Sequence, residues 1–137
     1  MATKTVKSGI SEERYHPPID SVVSNVGIAT GVQATVSVAA GAAGVRNVLT
    51  GFSFNTSAIT SLAISTVGCN VIDGATGGTT LLHRGVLTIT SVGSQALSMS
   101  SLSVAGTAAT AMTIEFSAGV TGLSEAVTMY YHTIGPN

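Results

Sequence analysis

The side chains that could do chemistry in this sequence are three histidines, one cysteine and a few carboxylates. His16 stands beside two prolines, His83 precedes Arg84, and His132 follows two tyrosines. No two of these histidines share the spacing of metal ligands, and no carboxylate pair brackets His83 or His132. We therefore expect surface or interface histidines, no metal site and no cofactor.

A nucleophilic or phosphate-binding site is not indicated either. A Ser-His-Asp arrangement could assemble in space from distant residues, but the chain contains no Gly-x-Ser-x-Gly elbow. The glycine-rich stretch 74–78 lacks the Lys-Ser/Thr pair and the following helix of a phosphate loop, so we interpret it as a turn. The chain is accordingly expected not to be an enzyme.

The only cysteine, Cys69, has no partner for an intrachain disulfide. It occupies an apolar position of a predicted strand, which favours a buried free thiol, with a bridge between two chains as the alternative. The chain starts Met-Ala-Thr-Lys without the apolar stretch of a signal peptide. We expect synthesis and use in a cytosol, or release by lysis.

Residues 68–89 show the plan of most of the chain, which is strand, glycine-rich turn, strand. Asp73 can bond to its own backbone two residues on, and the glycines after it adopt positive φ without a Cβ clash. Leu81, Leu87 and Ile89 share a parity after this turn. Period-2 alternation and breaks at small residues predict eight strands, at residues 21–29, 33–39, 45–55, 61–72, 79–90, 96–104, 107–118 and 125–133.

The clearest alternation predicts which side chains form the core. Val48 is expected to share a face with Phe52 and Phe54, while Thr113 and Glu115 point away from the core. Two runs change parity, between Leu62/Ile64 and Val67, and between Leu97/Met99 and Leu102, which indicates a bulge or two separate strands. The residues expected in the core are Phe52, Phe54, Met112, Ile114 and Phe116.

The composition is unusually poor in charge. Only 11 of the 137 residues are Lys, Arg, Asp or Glu, and the mean hydropathy is positive. No apolar run reaches the roughly 18 residues of a membrane helix, and the runs lack the regular pattern of a membrane barrel, so burial against other protein is the better explanation. The net charge of −1 argues against binding to nucleic acid.

Residues 1–20 differ from the rest, because they hold 6 of the 11 charges and end near Pro17-Pro18. The prolines favour an extended path, and the segment has too little apolar content to pack alone. It is either a disordered tail or an arm that becomes ordered along a neighbouring subunit or partner. The predicted organisation is an arm over 1–20 and a β-domain over 21–137.

Three stretches, at residues 31–54, 70–82 and 112–117, carry a resemblance to the small all-β virion proteins of tailed bacteriophages. The chain is most similar to capsid decoration (cement) proteins, over roughly residues 30–133. The resemblance implies a jelly-roll-like antiparallel β-sandwich of about eight strands with an extended N-terminal arm. It also implies a homo-oligomer, most often a trimer, that binds the major capsid protein and is located on the capsid surface of the virion after assembly in the host cytoplasm.

Two classes of function follow. The first is a structural cement protein that stabilises the capsid, and the alternative is a tail or fibre module that recognises a host surface glycan. The second class usually displays aromatic platforms, whereas this chain has no Trp. Arg46, Arg84, Tyr130 and His132 are candidates for the oligomer interface. The residues expected to bind the capsid or another partner through the arm are Lys4, Lys7, Glu12, Glu13, Arg14, Tyr15 and His16.

Overall fold

The computed structural model describes residues 20–25, 30–58, 65–90 and 92–136. Within these ranges the chain forms nine strands and no helix, and so no helix there could cross a membrane. The strands are β1 (Ser21–Asn25), β2 (Thr35–Val38), β3 (Arg46–Ala58), β4 (Ser65–Asp73), β5 (Leu81–Ile89), β6 (Gly93–Met99), β7 (Val104–Ala105), β8 (Met112–Phe116) and β9 (Leu123–Ile134).

The strands build two antiparallel sheets. The first has the order β1-β9-β3-β6, with the short β7 also paired to β3, and the second has the order β2-β8-β4-β5. Most neighbours within a sheet are far apart in the chain, because most connections cross from one sheet to the other. The four long strands of the first sheet and the four strands of the second, in this order, make a jelly-roll sandwich, which confirms the predicted fold class.

The eight predicted strands correspond to eight of the observed ones. The predicted run 96–104 is two strands, since β6 ends at Met99 and β7 begins at Val104. This break explains the change of parity after Met99. The other change of parity, at Leu62 and Ile64, falls on residues outside those the structure describes.

The core lies between the two sheets, and its aromatic centre matches the sequence prediction. Phe52, Phe54, Met112, Ile114 and Phe116 are all buried. The Phe54 ring meets Phe52 edge-on at a centroid distance of 5.4 Å and Phe116 at 5.2 Å. Edge-to-face rings at this separation stabilise the fold by more than the burial of their apolar area alone.

In two strands, β3 and β5, residues expected to point to the same side of the sheet do not, because the strand pairing is irregular. A bulge between Leu49 and Gly51 places Leu49 in the central cluster with Phe52 and Phe54, although Val48 is also buried. A second register shift, in the pairing of β4 with β5, leaves Leu81 exposed while Leu87 and Ile89 are buried. One extra residue reverses the side to which the following side chains point.

The glycine-rich connection between β4 and β5 is more than a turn. It folds back over the outer face of the second sheet, where the Gly77 N–H donates to the Glu115 carboxylate at 3.2 Å and the Thr113 hydroxyl donates to the Gly74 carbonyl at 2.8 Å. Thr113 and Glu115 do point away from the core, yet the connection buries both. Asp73 accepts hydrogen bonds from the N–H and hydroxyl of Thr107 in another loop.

Candidate functional site

The predicted arm falls almost entirely outside the described residues. This applies to Lys4, Lys7, Glu12, Glu13, Arg14, Tyr15 and His16. The last residue of the predicted arm, Asp20, is described and is bonded to the sandwich. Its carboxylate accepts a hydrogen bond from the Thr50 hydroxyl at 2.8 Å and lies 3.3 Å from His132 Nδ1.

The contacts of Asp20 also show what this cluster can do chemically. The Thr50 hydroxyl bonds to Asp20 and not to His132, so the imidazole does not activate it as a nucleophile. The cluster instead ties the start of β1 to β3 and β9. Among the described residues, no group of three or more His, Cys, Asp or Glu side chains could hold a metal ion.

The four predicted interface residues do not form one surface. Arg46 lies opposite Ile134 in the pairing of β3 with β9, and Tyr130 and His132 alternate with Ile134 along β9, so these three residues face the same side of the first sheet. The Arg46 guanidinium donates to the Gly106 carbonyl at 3.0 Å. Arg84 is on β5, an outer strand of the second sheet.

The outer face of the first sheet carries almost no charge. This face runs from Asp20 and His132 at one end to Ser57 at the other, and most of its described side chains are small and neutral. Two larger side chains, Val22 and Tyr130, lie opposite each other and are 55% and 41% exposed. An open depression of about 430 Å³ lies at the far end, where Ser57, Ser94 and Ser124 meet. The small side chains of this face are Ser24, Ser53, Asn55, Ser57, Ser94, Ala96, Ser98, Ser124, Ala126 and Thr128.

Burial removes two more charges from the surface of the sandwich. Five charged residues follow Asp20 in the sequence, namely Arg46, Asp73, Arg84, Glu115 and Glu125. Glu115 is 5% exposed beneath the β4–β5 connection, and Glu125 is 1% exposed in the core. Only three charged side chains after Asp20, those of Arg46, Asp73 and Arg84, therefore remain at the surface.

Glu125 is the feature that the sequence interpretation missed. The Ala34 N–H donates to its Oε2 at 3.0 Å, whereas Oε1 has no hydrogen-bond partner among the described residues. Burial raises the pKa of this carboxyl to about 7, although the bond from Ala34 opposes the shift. Glu125 shares the parity of the buried Val127 and Met129, so the alternation of β9 already indicated an inward position.

Cys69 is a buried free thiol, as predicted. Its pKa is raised to about 12, first by burial and then by the negative charge of Glu125. A thiol with a pKa this high stays protonated at neutral pH and is a poor nucleophile. The structure therefore assigns Cys69 to packing within the core.

Comparison with known proteins finds only distant similarity. No known protein family matches the chain, and no curated protein matches it. Among solved structures, one described as "CBM4 structure and function" is 11% identical over 84% of this chain and 71% of that chain, with a TM-score of 0.38. The Tobacco streak virus coat protein is 7% identical over 89% of this chain and 92% of that chain, with a TM-score of 0.40. These values are too low to bring the function of either protein to this chain.

Proposed function

We propose that the chain is a structural virion protein that binds the outside of a phage capsid and stabilises it as an oligomeric decoration protein. The observation that carries this proposal is the surface charge of the sandwich, where only Arg46, Asp73 and Arg84 remain after Asp20. A soluble domain usually has about a quarter to a third of its surface positions charged. A surface this neutral suits a protein whose faces are covered by copies of itself and by a shell.

Self-association would use the neutral outer face of the first sheet. Tyr130 on β9 and its neighbour Val22 on the outer strand β1 supply apolar area on this face, and the serines and alanines around them allow close approach without buried charge. Arg46 and His132 lie at one end of the same face. A trimer is the expected assembly, and its many copies would attach to a repeating shell through avidity.

A second candidate function is a tail or fibre module that binds a host glycan. The observation that favours it is the open depression on the first sheet, whose hydroxyl and amide groups from Asn55, Ser57 and Ser94 could bond to sugar hydroxyls. The described residues that line the depression include no aromatic side chain to stack on a sugar ring. The cement function is therefore preferred.

The copy number of the chain in purified particles separates the two candidates. We expect on the order of hundreds of copies per particle, because a shell offers many equivalent sites for an avid ligand. The measurement is quantitative mass spectrometry of the particles, with the mass of the isolated protein as a second readout. About a dozen copies or fewer would favour the tail module, and a monomer at micromolar concentration would count against the trimer.

Removing residues 1–18 is expected to leave the sandwich folded and oligomeric and to weaken its binding to capsids. The removed segment holds 5 of the 11 charges, and attachment through charges at a wet surface is screened by salt. The measurement is co-sedimentation with capsids at low and high salt, beside the full chain. Equal binding of the two proteins would contradict a role of the arm in anchoring, and unfolding would show that the arm belongs to the core.

A further inference from the structure

The two sheets end on the same side of the sandwich, with β5 and β6 as their outer strands. Among the described strands, β5 pairs only with β4, while β6 pairs only with β3. The side chain of Leu97 on β6 packs directly over Gly85 on β5, where a Cβ would overlap it. This contact closes one part of the gap between the sheets.

The free edge of β5 lacks the usual protection against pairing with another strand. Natural edge strands are blocked by lysines, prolines, bulges or short length. β5 has nine residues without proline or lysine, and its bulge lies at one end, beside Leu81. Arg84 is its only charged side chain, and Val86 is 55% exposed. Among the described strands nothing pairs with its outer backbone groups, and an extended segment could use them.

A cavity of about 210 Å³ opens beside this edge, between the two sheets. It is larger than the ~150 Å³ cavities that accept a benzene ring. Among the described residues that line it, His83 has the only polar side chain. The centre of its imidazole lies 5.5 Å from the centre of the Phe52 ring, and it has no hydrogen bond to any described residue. The residues that line the cavity are Leu49, Phe52, Val71, Leu82, His83, Met99, Leu102 and Val104.

Arg84, on the other face of the same strand, favours a negatively charged residue in any segment that docks there. Neighbouring residues of a strand point to opposite faces, so the exposed Arg84 faces outward while His83 faces the cavity. No carboxylate of the described residues lies within ion-pair distance of Arg84. A segment running along β5 would thus place one residue against Arg84 and residues of the opposite parity towards the cavity.

We propose that the outer edge of β5 docks an extended segment of another protein, which carries a carboxylate opposite Arg84 and a large apolar side chain in the cavity beside His83. The mode is strand addition, in which main-chain hydrogen bonds supply affinity and side-chain pockets supply specificity. The inference rests on the proposed function for the identity of that protein, which is the shell protein beneath the chain.

A second copy of the chain fits the edge less well. Two β5 strands paired about a twofold axis through Gly85 would bring the two Arg84 side chains close together. Like charges at neighbouring cross-strand positions are destabilising. The unpaired charge of Arg84 therefore favours an acidic segment of a different chain.

The test is a selection of random nine-residue peptides, displayed on yeast, against the full-length protein. We expect enriched peptides to carry Asp or Glu together with an aromatic residue at a position of opposite parity. Arg84→Glu should weaken a selected peptide about tenfold, and a peptide with Lys in place of the acid should recover binding to that variant. Val32→Glu is the matched control, because Val32 is 48% exposed just before β2, at the opposite edge of the second sheet, and this variant should bind as wild type does.

N-methylation of the selected peptide tests the backbone part of the proposal. A strand added to an edge uses every second N–H, so methylation of one alternate set should abolish binding while methylation of the other set is tolerated. Strand addition at β5 would be overturned if methylation of both alternate sets of N–H groups were tolerated. It would also be overturned if the peptide with Lys did not recover binding to the Arg84→Glu variant. If a peptide of residues 1–19 competes for the β5 edge as well as the selected peptide does, the occupant is the chain's own segment. That result would overturn docking of a segment from another protein.

These outcomes are separate from those of the proposed function. Peptides that bind the β5 edge, together with absence of the chain from particles, would leave the docking edge in place and overturn the capsid function. Hundreds of copies on particles, together with a selection that yields no binding peptide, would support the capsid function and overturn the docking edge.

Discussion

Replacement of Phe116 with alanine is expected to lower the free energy of unfolding by about 3–5 kcal/mol. Phe116 is fully buried at the end of β8, opposite Cys69, and its ring meets Phe54 edge-on at 5.2 Å. The substitution would leave a cavity between two sheets whose other side chains cannot collapse into it. The loss is a large part of the total stability of a domain of this size.

Urea unfolding of the two proteins, followed by circular dichroism, measures this difference. Val86→Ala is the control, because Val86 is exposed on β5 and its truncation should change stability by no more than about 0.5 kcal/mol. Equal stability of the wild type and the Phe116→Ala variant would contradict the inward position of Phe116 and with it the packing of β8.

Replacement of Glu125 with glutamine is expected to stabilise the protein at pH 8 by up to about 3 kcal/mol and to leave its stability at pH 4 nearly unchanged. The carboxyl has a pKa of about 7 in the folded chain, against an ordinary value of 4.5. Between these two values the unfolded chain releases the proton while the folded chain keeps it. Stability therefore falls as the pH rises from 4.5 to 7, and the full penalty remains above 7.

Glutamine suits this test because it is neutral at every pH and can still accept the hydrogen bond from the Ala34 N–H. The stabilities of wild type and variant are measured from pH 4 to pH 8, and the difference between them isolates Glu125 from the other carboxylates. A carbon-detected NMR titration gives the pKa of Glu125 directly. Parallel stability curves, or a carboxyl that titrates near 4.5, would show that Glu125 is solvated.

The fold could be predicted from the sequence because each strand carries its own signal. Alternation in β3 and β8 identified the buried phenylalanines, and the breaks at small residues separated eight strands. These signals are local, since a strand of period 2 must present one side to a core and the other to a different environment. The low number of charges is likewise a property of the composition alone.

The tertiary structure decided which of the expected features combine. The bulge at Leu49/Gly51 depends on how β3 pairs with β9, which lies near the other end of the chain, and period-2 counting along β3 cannot detect it. Similarly, Glu115 was placed correctly on the outer side of β8, but only the folding of the β4–β5 connection over it makes that position buried.

The candidate sites divide in the same way. The sequence by itself determined an all-β sandwich with few surface charges, because composition and alternation are properties of each strand alone. Only the tertiary structure separated Arg84 from Arg46, Tyr130 and His132, brought Asp20 to His132, and placed His83 in an apolar cavity between the edge strands. The order of strands in two sheets decides these neighbours, and that order follows from long-range pairing that no single stretch of the chain encodes.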